Sequence, residues 1–360
     1  MNPLSPTDAL IGLGLTAPML ERLMNRPLYG GESAMRVTEV QRDMVRLHDG
    51  LREVPARVPP TLAGQLDNDD LAVGDWVLAC AAALDQWRVV ERIAPLTQIA
   101  RRTNDGRGAA KRQVLVANVD TCLLVMGLDH DYNLRRLERY LALARLAGVA
   151  AVVVLTKADT LDAAQLERRG AQAREVIGEA VPLLALDARA DSARTQLSRW
   201  LGRGQTLVLL GSSGAGKSTL TNVLCGAPLQ DTGPIRVDDG RGRHTTTVRT
   251  LRFAADGACV IDTPGLRALR LDVDGDAALN VAFDDVAALA PQCRFRNCRH
   301  RDEPGCAVRE RLPAERVRNY HKLQREARRD AMNALEQREQ RRTWKMRGRE
   351  GEMLARAKRG

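Results

Sequence analysis

Gly211-Ser212-Ser213-Gly214-Ala215-Gly216-Lys217-Ser218 sets three glycines, a lysine and a terminal hydroxyl at the spacing of a phosphate-binding loop, G-x-x-x-x-G-K-[ST]. Glycines let backbone N–H groups close around phosphate oxygens with no Cβ in the way. A helix N-terminus behind such a loop adds a favourable field for an anion. Lys217 is expected to reach the β- and γ-phosphates, the Ser218 hydroxyl to ligate Mg²⁺, and Thr219 to complete the phosphate-binding run. Gln205 to Leu210 (QTLVLL) reads as a buried strand before the loop, and Ser218 to Leu224 as the start of a helix after it. Farther on, the apolar run Ala258 to Ile261 ends in Asp262-Thr263-Pro264-Gly265. Asp262 at such a strand tip can hold Mg²⁺ through water, and the Gly265 N–H can sense a γ-phosphate. Between the two lies Gly240-Arg241-Gly242-Arg243-His244-Thr245-Thr246-Thr247. Thr245 or Thr246 there would ligate Mg²⁺ only while the γ-phosphate is present, the logic of a switch segment.

Thr156-Lys157-Ala158-Asp159 follows the β-branched run Ala151 to Leu155 and is close to N-K-x-D, the box that reads guanine. Asp159 would accept hydrogen bonds from guanine N1 and N2, a pair of donors adenine lacks. Lys157 would lie along the purine face, and Thr156 replaces the usual Asn. Leu186-Asp187-Ala188 suits the last base-contacting loop, which usually reads S-A, so Asp187 and Ala188 are weaker base contacts. The base box here precedes the phosphate loop, the reverse of the usual chain order, as in a circularly permuted GTPase. The residue after D-x-x-G is Leu266, which cannot orient a water. Slow intrinsic turnover is expected, with His244 the substitute catalytic group alongside Lys217.

Cys293-x₄-Cys298-x-His300-x₅-Cys306 gathers three thiols and an imidazole, the ligand set of a closed, structural tetrahedral zinc site. Pro304 and Gly305 supply the turn that returns Cys306. Cys80, Cys122, Cys225 and Cys259 sit in apolar or small-residue contexts and read as reduced core thiols.

The order T-K-x-D, phosphate loop, G-R-H-T-T-T, D-T-P-G, cysteine cluster resembles the bacterial ribosome small-subunit-dependent GTPase A family, from about Arg36 to Tyr320. The resemblance implies three parts: an N-terminal OB-type β-barrel, a circularly permuted α/β P-loop GTPase core and a C-terminal zinc module. It implies GTP hydrolysis stimulated by the small ribosomal subunit during its late maturation.

The elements that must position these residues are legible in part. Short alternating or apolar segments at Met35 to Val40, Met44 to Leu47, Leu71 to Leu78 and Trp87 to Ile93 read as barrel strands, with Gly74-Asp75-Trp76-Val77 suiting a strand start after a turn. Arg101 to Gly108 reads as a basic linker. Strand and helix then alternate, which predicts a parallel sheet with the nucleotide at its carboxyl edge. The expected division is an N-terminal extension (1–33), the barrel (34–104), the GTPase domain (105–272) and a zinc-binding, α-rich, basic helical region (273–360). In this order the chain leaves the core soon after D-T-P-G, so the switch is tethered directly to the zinc module.

A net charge of +10 over 360 residues suggests a polyanionic partner, with two dense basic stretches at Arg318–Arg329 and Arg341–Arg349. Only 3% of residues are aromatic, which favours phosphate contacts over base stacking. The expected partners are therefore the small subunit and its rRNA, with GTP and GDP as ligands, one zinc, and Mg²⁺ carried with GTP. No apolar run is of membrane-spanning length and no signal peptide is read, so a cytoplasmic protein is expected; it is also expected to be a monomer. The rivals are a P-loop ATPase or kinase, and an RNA-binding scaffold with negligible turnover.

Overall fold

The computed structural model describes residues 6–26, 31–41, 44–65, 70–82, 86–104, 110–227, 249–263 and 275–331. They fall into two compact units, one of Met1–Arg101 with Gln113–Leu269, the other of Arg102–Arg112 with Arg270–Gly360.

The first unit opens with helices α1 (Pro6–Gly12) and α2 (Ala17–Met24), followed by strands β1 (Glu32–Gln41), β2 (Met44–His48) and β3 (Glu53–Arg57). Helix α3 (Pro60–Gln65) leads to β4 (Trp76–Ala81) and β5 (Trp87–Arg92). β1 pairs with both β2 and β4, β3 lies parallel to β5, and β5 pairs with β4, so five strands close on themselves. Alternation drives the closure: Val45, Leu47, Val54 and Ala56 point inward to meet Met35, Val77 and Val89.

The expected strand over Leu71 to Leu78 begins only at Trp76. Leu71, Ala72 and Val73 are buried without belonging to a strand. Their burial comes from a turn: Gly74 has φ +94°, the Asp75 carboxylate accepts from the Ala72 N–H at 2.8 Å, and Val73 bridges to Val116. The expected linker at Arg101 to Gly108 also departs from expectation in its described part. β6 (Gln98–Asn104) pairs with β7 (Ala110–Ala117).

The core follows as β8 (Thr121–Gly127), α4 (Leu134–Leu146), β9 (Ala150–Thr156), α5 (Ala163–Ile177), β10 (Leu183–Ala185), α6 (Ser192–Leu197), β11 (Thr206–Leu210), α7 (Lys217–Cys225), β12 (Thr250–Phe253) and β13 (Cys259–Asp262). The order β10-β9-β8-β11-β13 is parallel throughout, and β12 adds antiparallel. β8 and β11 are buried along their whole length, as a sheet covered on both faces requires. Glu39 of β1 pairs with Thr250 of β12, so barrel and core share one continuous sheet.

The described N-terminal residues 6–26, to which the sequence assigned no role, bury one apolar face. Leu13, Leu15, Met19 and Leu23 pack on Trp76, Leu78 and Ile93. Beside them the Arg36 side chain is 0% exposed. Its guanidinium donates to the Leu13 carbonyl, to Thr206 Oγ1 and the Asn118 carbonyl at 2.8 Å each, and to the Gly74 carbonyl at 3.3 Å.

In the second unit, α8 (Gly275–Ala282), α9 (Asp284–Leu289), α10 (Ala307–Arg311) and α11 (Ala314–Ala331) form an α-rich module. Arg316 of α11 stacks over Phe283 at 4.3 Å and pairs with Asp285 at 2.8 Å, while Tyr320 meets Phe283 edge-on. The first basic stretch lies on α11, and the second lies outside the described residues.

Arg36→Met is expected to cost more than about 3 kcal/mol, because it leaves several buried acceptors without a donor. A fall in the urea midpoint of unfolding checks it, and a loss below about 1 kcal/mol would contradict the hub.

Candidate nucleotide site and metal centre

β11 enters the phosphate loop and α7 leaves it, as the motif requires. Gly214 (φ +82°) and Gly216 (φ +95°) adopt left-handed backbone. A Cβ on Gly211 would meet the Val125 carbonyl at 2.4 Å, so this position tolerates only glycine. Lys217 is buried, and its ammonium donates to the Ser212 carbonyl at 2.7 Å and the Gly211 carbonyl at 3.1 Å. Burial pushes its pKa down to about 8, while the charges of Asp262 and Asp131 act to keep it protonated. Asp262 is buried beside the loop, paired in register with Leu209 of β11. Thr263 donates to the Leu209 carbonyl at 2.7 Å and fixes the end of β13. His244, Thr245, Thr246 and Gly265 lie outside the described residues.

Thr156 to Asp159 sit at the end of β9, beside the phosphate loop. The fully buried Thr156 donates from Oγ1 to the Ala215 carbonyl at 2.6 Å. Its hydroxyl thus joins the base box to the loop, in place of the missing amide. Lys157 has φ +60°, and its ammonium pairs with Asp129 at 2.6 Å. Asp159 pairs with Arg189 at 2.6 Å, and Arg189 also bonds Asp187 at 3.2 Å. The Leu186 carbonyl accepts from the Ala158 N–H at 3.3 Å, which brings Asp187 and Ala188 to the same end of the sheet. Sequence reasoning passed over Asp129, Asp131 and Arg189. The first two follow β8 in Leu128-Asp129-His130-Asp131, and acidic residues just past a parallel strand's carboxyl end were the available signal.

Cys293, Cys298, His300 and Cys306 converge, with their ligand atoms all within 4.8 Å of one another. Cys293 Sγ lies 3.6 Å and Cys306 Sγ 3.5 Å from His300 Nδ1, and the two sulfurs are 4.0 Å apart. Zinc bond lengths near 2.3 Å to sulfur and 2.0 Å to nitrogen give tetrahedral edges of about 3.8 Å and about 3.5 Å, so the donor set fits zinc. His300 (φ +58°) and Gly305 (φ +69°) make the tight turns between ligands. The Glu303 carboxylate accepts from the N–H groups of Arg299 at 2.9 Å and Arg301 at 2.8 Å, which hold its pKa down to about 2.

A parallel sheet whose base box precedes its phosphate loop, joined to a closed barrel, defines a circularly permuted P-loop GTPase fold. The chain aligns with the crystal structure of YjeQ from Thermotoga maritima over 82% of its length and 98% of that chain, with a TM-score of 0.60 and 23% identity. YloQ, described as a circularly permuted GTPase, aligns over 86% and 100% with a TM-score of 0.58 and 18% identity. Residues 93–272 match the RsgA GTPase family. The chain is 48% identical over 261 residues to the small ribosomal subunit biogenesis GTPase RsgA of Xanthomonas oryzae pv. oryzae (strain PXO99A), covering 70% of this chain and 68% of the relative. It is 42% identical to the protein of the same name from Mesorhizobium japonicum (strain LMG 29417 / CECT 9101 / MAFF 303099), over 80% and 82%. The chain belongs to the RsgA GTPase family.

Protein purified without chelator is expected to carry about one zinc per chain. Cys298→Ser should lose most of it, measured by elemental analysis, while GDP binding persists. Full zinc content in that variant would contradict the site.

Proposed function

We propose that this chain is a GTPase of small ribosomal subunit biogenesis, which binds and hydrolyses GTP and is stimulated by the small subunit during its late maturation. The observation that supports the nucleotide reading is the Thr156–Ala215 hydrogen bond at 2.6 Å, because it ties the base box to the phosphate loop despite their reversed order. Gly211 to Thr219 bind the phosphates, Ser218 and Asp262 serve Mg²⁺, and Lys217 neutralises charge on the β- and γ-phosphates. Asp159 reads guanine, Lys157 covers its face, and Asp187 and Ala188 flank the base. Thr245 or Thr246 and Gly265 sense the γ-phosphate. Family membership disfavours the ATPase or kinase reading. Cys293, Cys298, His300 and Cys306 would hold zinc in a closed four-ligand site that stabilises the C-terminal module and leaves no open position for substrate.

A net charge of +10 supports contact with rRNA phosphates, in which the basic face of α11 takes part. The protein acts in the cytoplasm as a monomer, and among the described residues no helix is long and apolar enough to cross a membrane. Leu266 offers no hydrogen bond to the attacking water, so the free protein turns over slowly. His244 supplies that contact when the small subunit is bound.

Phosphate release measured alone, with small subunits, with large subunits and with free RNA tests this reading. Stimulation by small subunits alone is expected, and equal rates in all four would contradict it. His244→Ala should lose most of the stimulated rate and keep GTP affinity, the mark of a contact made mainly in the transition state. Undiminished stimulation would remove its catalytic role.

Arg189 competes with guanine for Asp159. The pair is exposed and screened by solvent, so it holds Asp159 only weakly. Arg189→Ala should therefore bind GDP up to about fivefold more tightly, most clearly at low salt. Weaker binding would mean that Arg189 contacts the nucleotide instead.

A further inference from the structure

Asp131 belongs to no motif, yet its carboxylate is buried beside the phosphate loop, 7% exposed. A buried carboxylate persists only where hydrogen bonds and opposite charge compensate lost hydration. Asp131 has three such partners. The Gly127 N–H donates to Oδ2 at 3.1 Å, and Arg136 Nη2 donates to Oδ1. Both are local, at the end of β8 and in the first turn of α4. The third crosses to the nucleotide site: Ser212 Oγ donates to Asp131 Oδ1 at 2.5 Å, from a position 81 residues away.

Placing an anion near a polyphosphate site is electrostatically unfavourable. The contact must therefore be judged by what it positions. Ser212 is the second residue of the phosphate loop, and its carbonyl accepts from Lys217 at 2.7 Å. The preceding Gly211 is seated against the Val125 carbonyl of β8. At the far side of the loop, Thr156 holds Ala215 from β9. The loop is thus braced twice, by Thr156 at its end and by Asp131 at its beginning. Arg136 lies against the Asp131 carboxylate and offsets its charge.

We infer that Asp131 is a positioning residue of the nucleotide site, which sets the first turn of the phosphate loop through the Ser212 hydroxyl and so fixes where Lys217 rests. The inference depends on the phosphate-loop reading above. Asp131 does not touch nucleotide. Its charge also acts on Lys217, but the route through Ser212 is the one that sets it apart from a residue that only stabilises the fold.

The test is a double-mutant cycle on fluorescent GDP binding by the full-length protein, with Ser212→Ala, Asp131→Ala and the pair. Each single variant is expected to weaken binding about tenfold, and the double variant no more than about twofold beyond the weaker single. Asp131→Asn, which keeps an acceptor for the hydroxyl, should recover part of the loss, and it carries the same cycle where Asp131→Ala does not fold. Unchanged affinity in Ser212→Ala, or fully additive losses, would overturn the inference. Tighter GDP binding in Asp131→Ala would also overturn it, because the carboxylate would then act only as a repulsive charge. Lys217→Ala is the control: if it binds GDP like the wild type, the phosphate-loop reading itself fails. If Lys217→Ala loses binding and the cycle shows no coupling, only the role of Asp131 fails.

Discussion

One buried guanidinium holds the first unit together. Arg36 starts from a barrel strand and reaches the N-terminal segment at Leu13, the β4 turn at Gly74, the loop at Asn118 and the first residue of β11 at Thr206. No described carboxylate pairs with it directly. Burial lowers its pKa, while Cys259, Asp120 and Asp75 act in the opposite direction. Its charge is met mainly by oxygen dipoles, an arrangement that works only if all four segments are in place at once. The strand it grips at Thr206 carries the phosphate loop at its other end. The barrel, the N-terminal segment and the nucleotide site are therefore fixed to a common point.

At the site, close backbone approach does what side chains cannot. Gly211 lies so near the Val125 carbonyl that a methyl group has no room, and Gly214 and Gly216 take conformations that L side chains avoid. The lysine that should meet phosphate is turned onto two loop carbonyls, its pKa lowered to about 8 by burial. Arriving phosphates would replace those carbonyls as partners.

Much of this was legible in the sequence, for identifiable reasons. The phosphate loop, the box at Thr156 and the Cys3His cluster are local motifs whose chemistry requires particular residues at particular spacing, and the parallel strands are continuous apolar runs. What escaped were interactions between distant segments. Arg36 reads as one more basic residue until Leu13, Asn118 and Thr206 are seen to converge on it. Asp131 reads as a loop residue until the fold brings Ser212 to it. The strand misplaced at Leu71 to Asp75 failed for a related reason: tertiary burial of a turn produces the same apolar run as a strand, and only the positive φ of Gly74 separates the two.

The central claim is that Asp159 and the phosphate loop form a guanine nucleotide site. Guanine offers N–H donors at N1 and N2, whereas xanthine has a carbonyl at position 2. A carboxylate at 159 should choose the first and a carboxamide the second. Competition of GDP, ADP and XDP against fluorescent GDP or XDP, on wild type and Asp159→Asn, measures this directly. The account predicts that wild type prefers GDP by more than about tenfold and that the variant loses GDP and gains XDP, since charge-assisted hydrogen bonds are worth about 1.5–3 kcal/mol. Unchanged GDP preference in Asp159→Asn would contradict it.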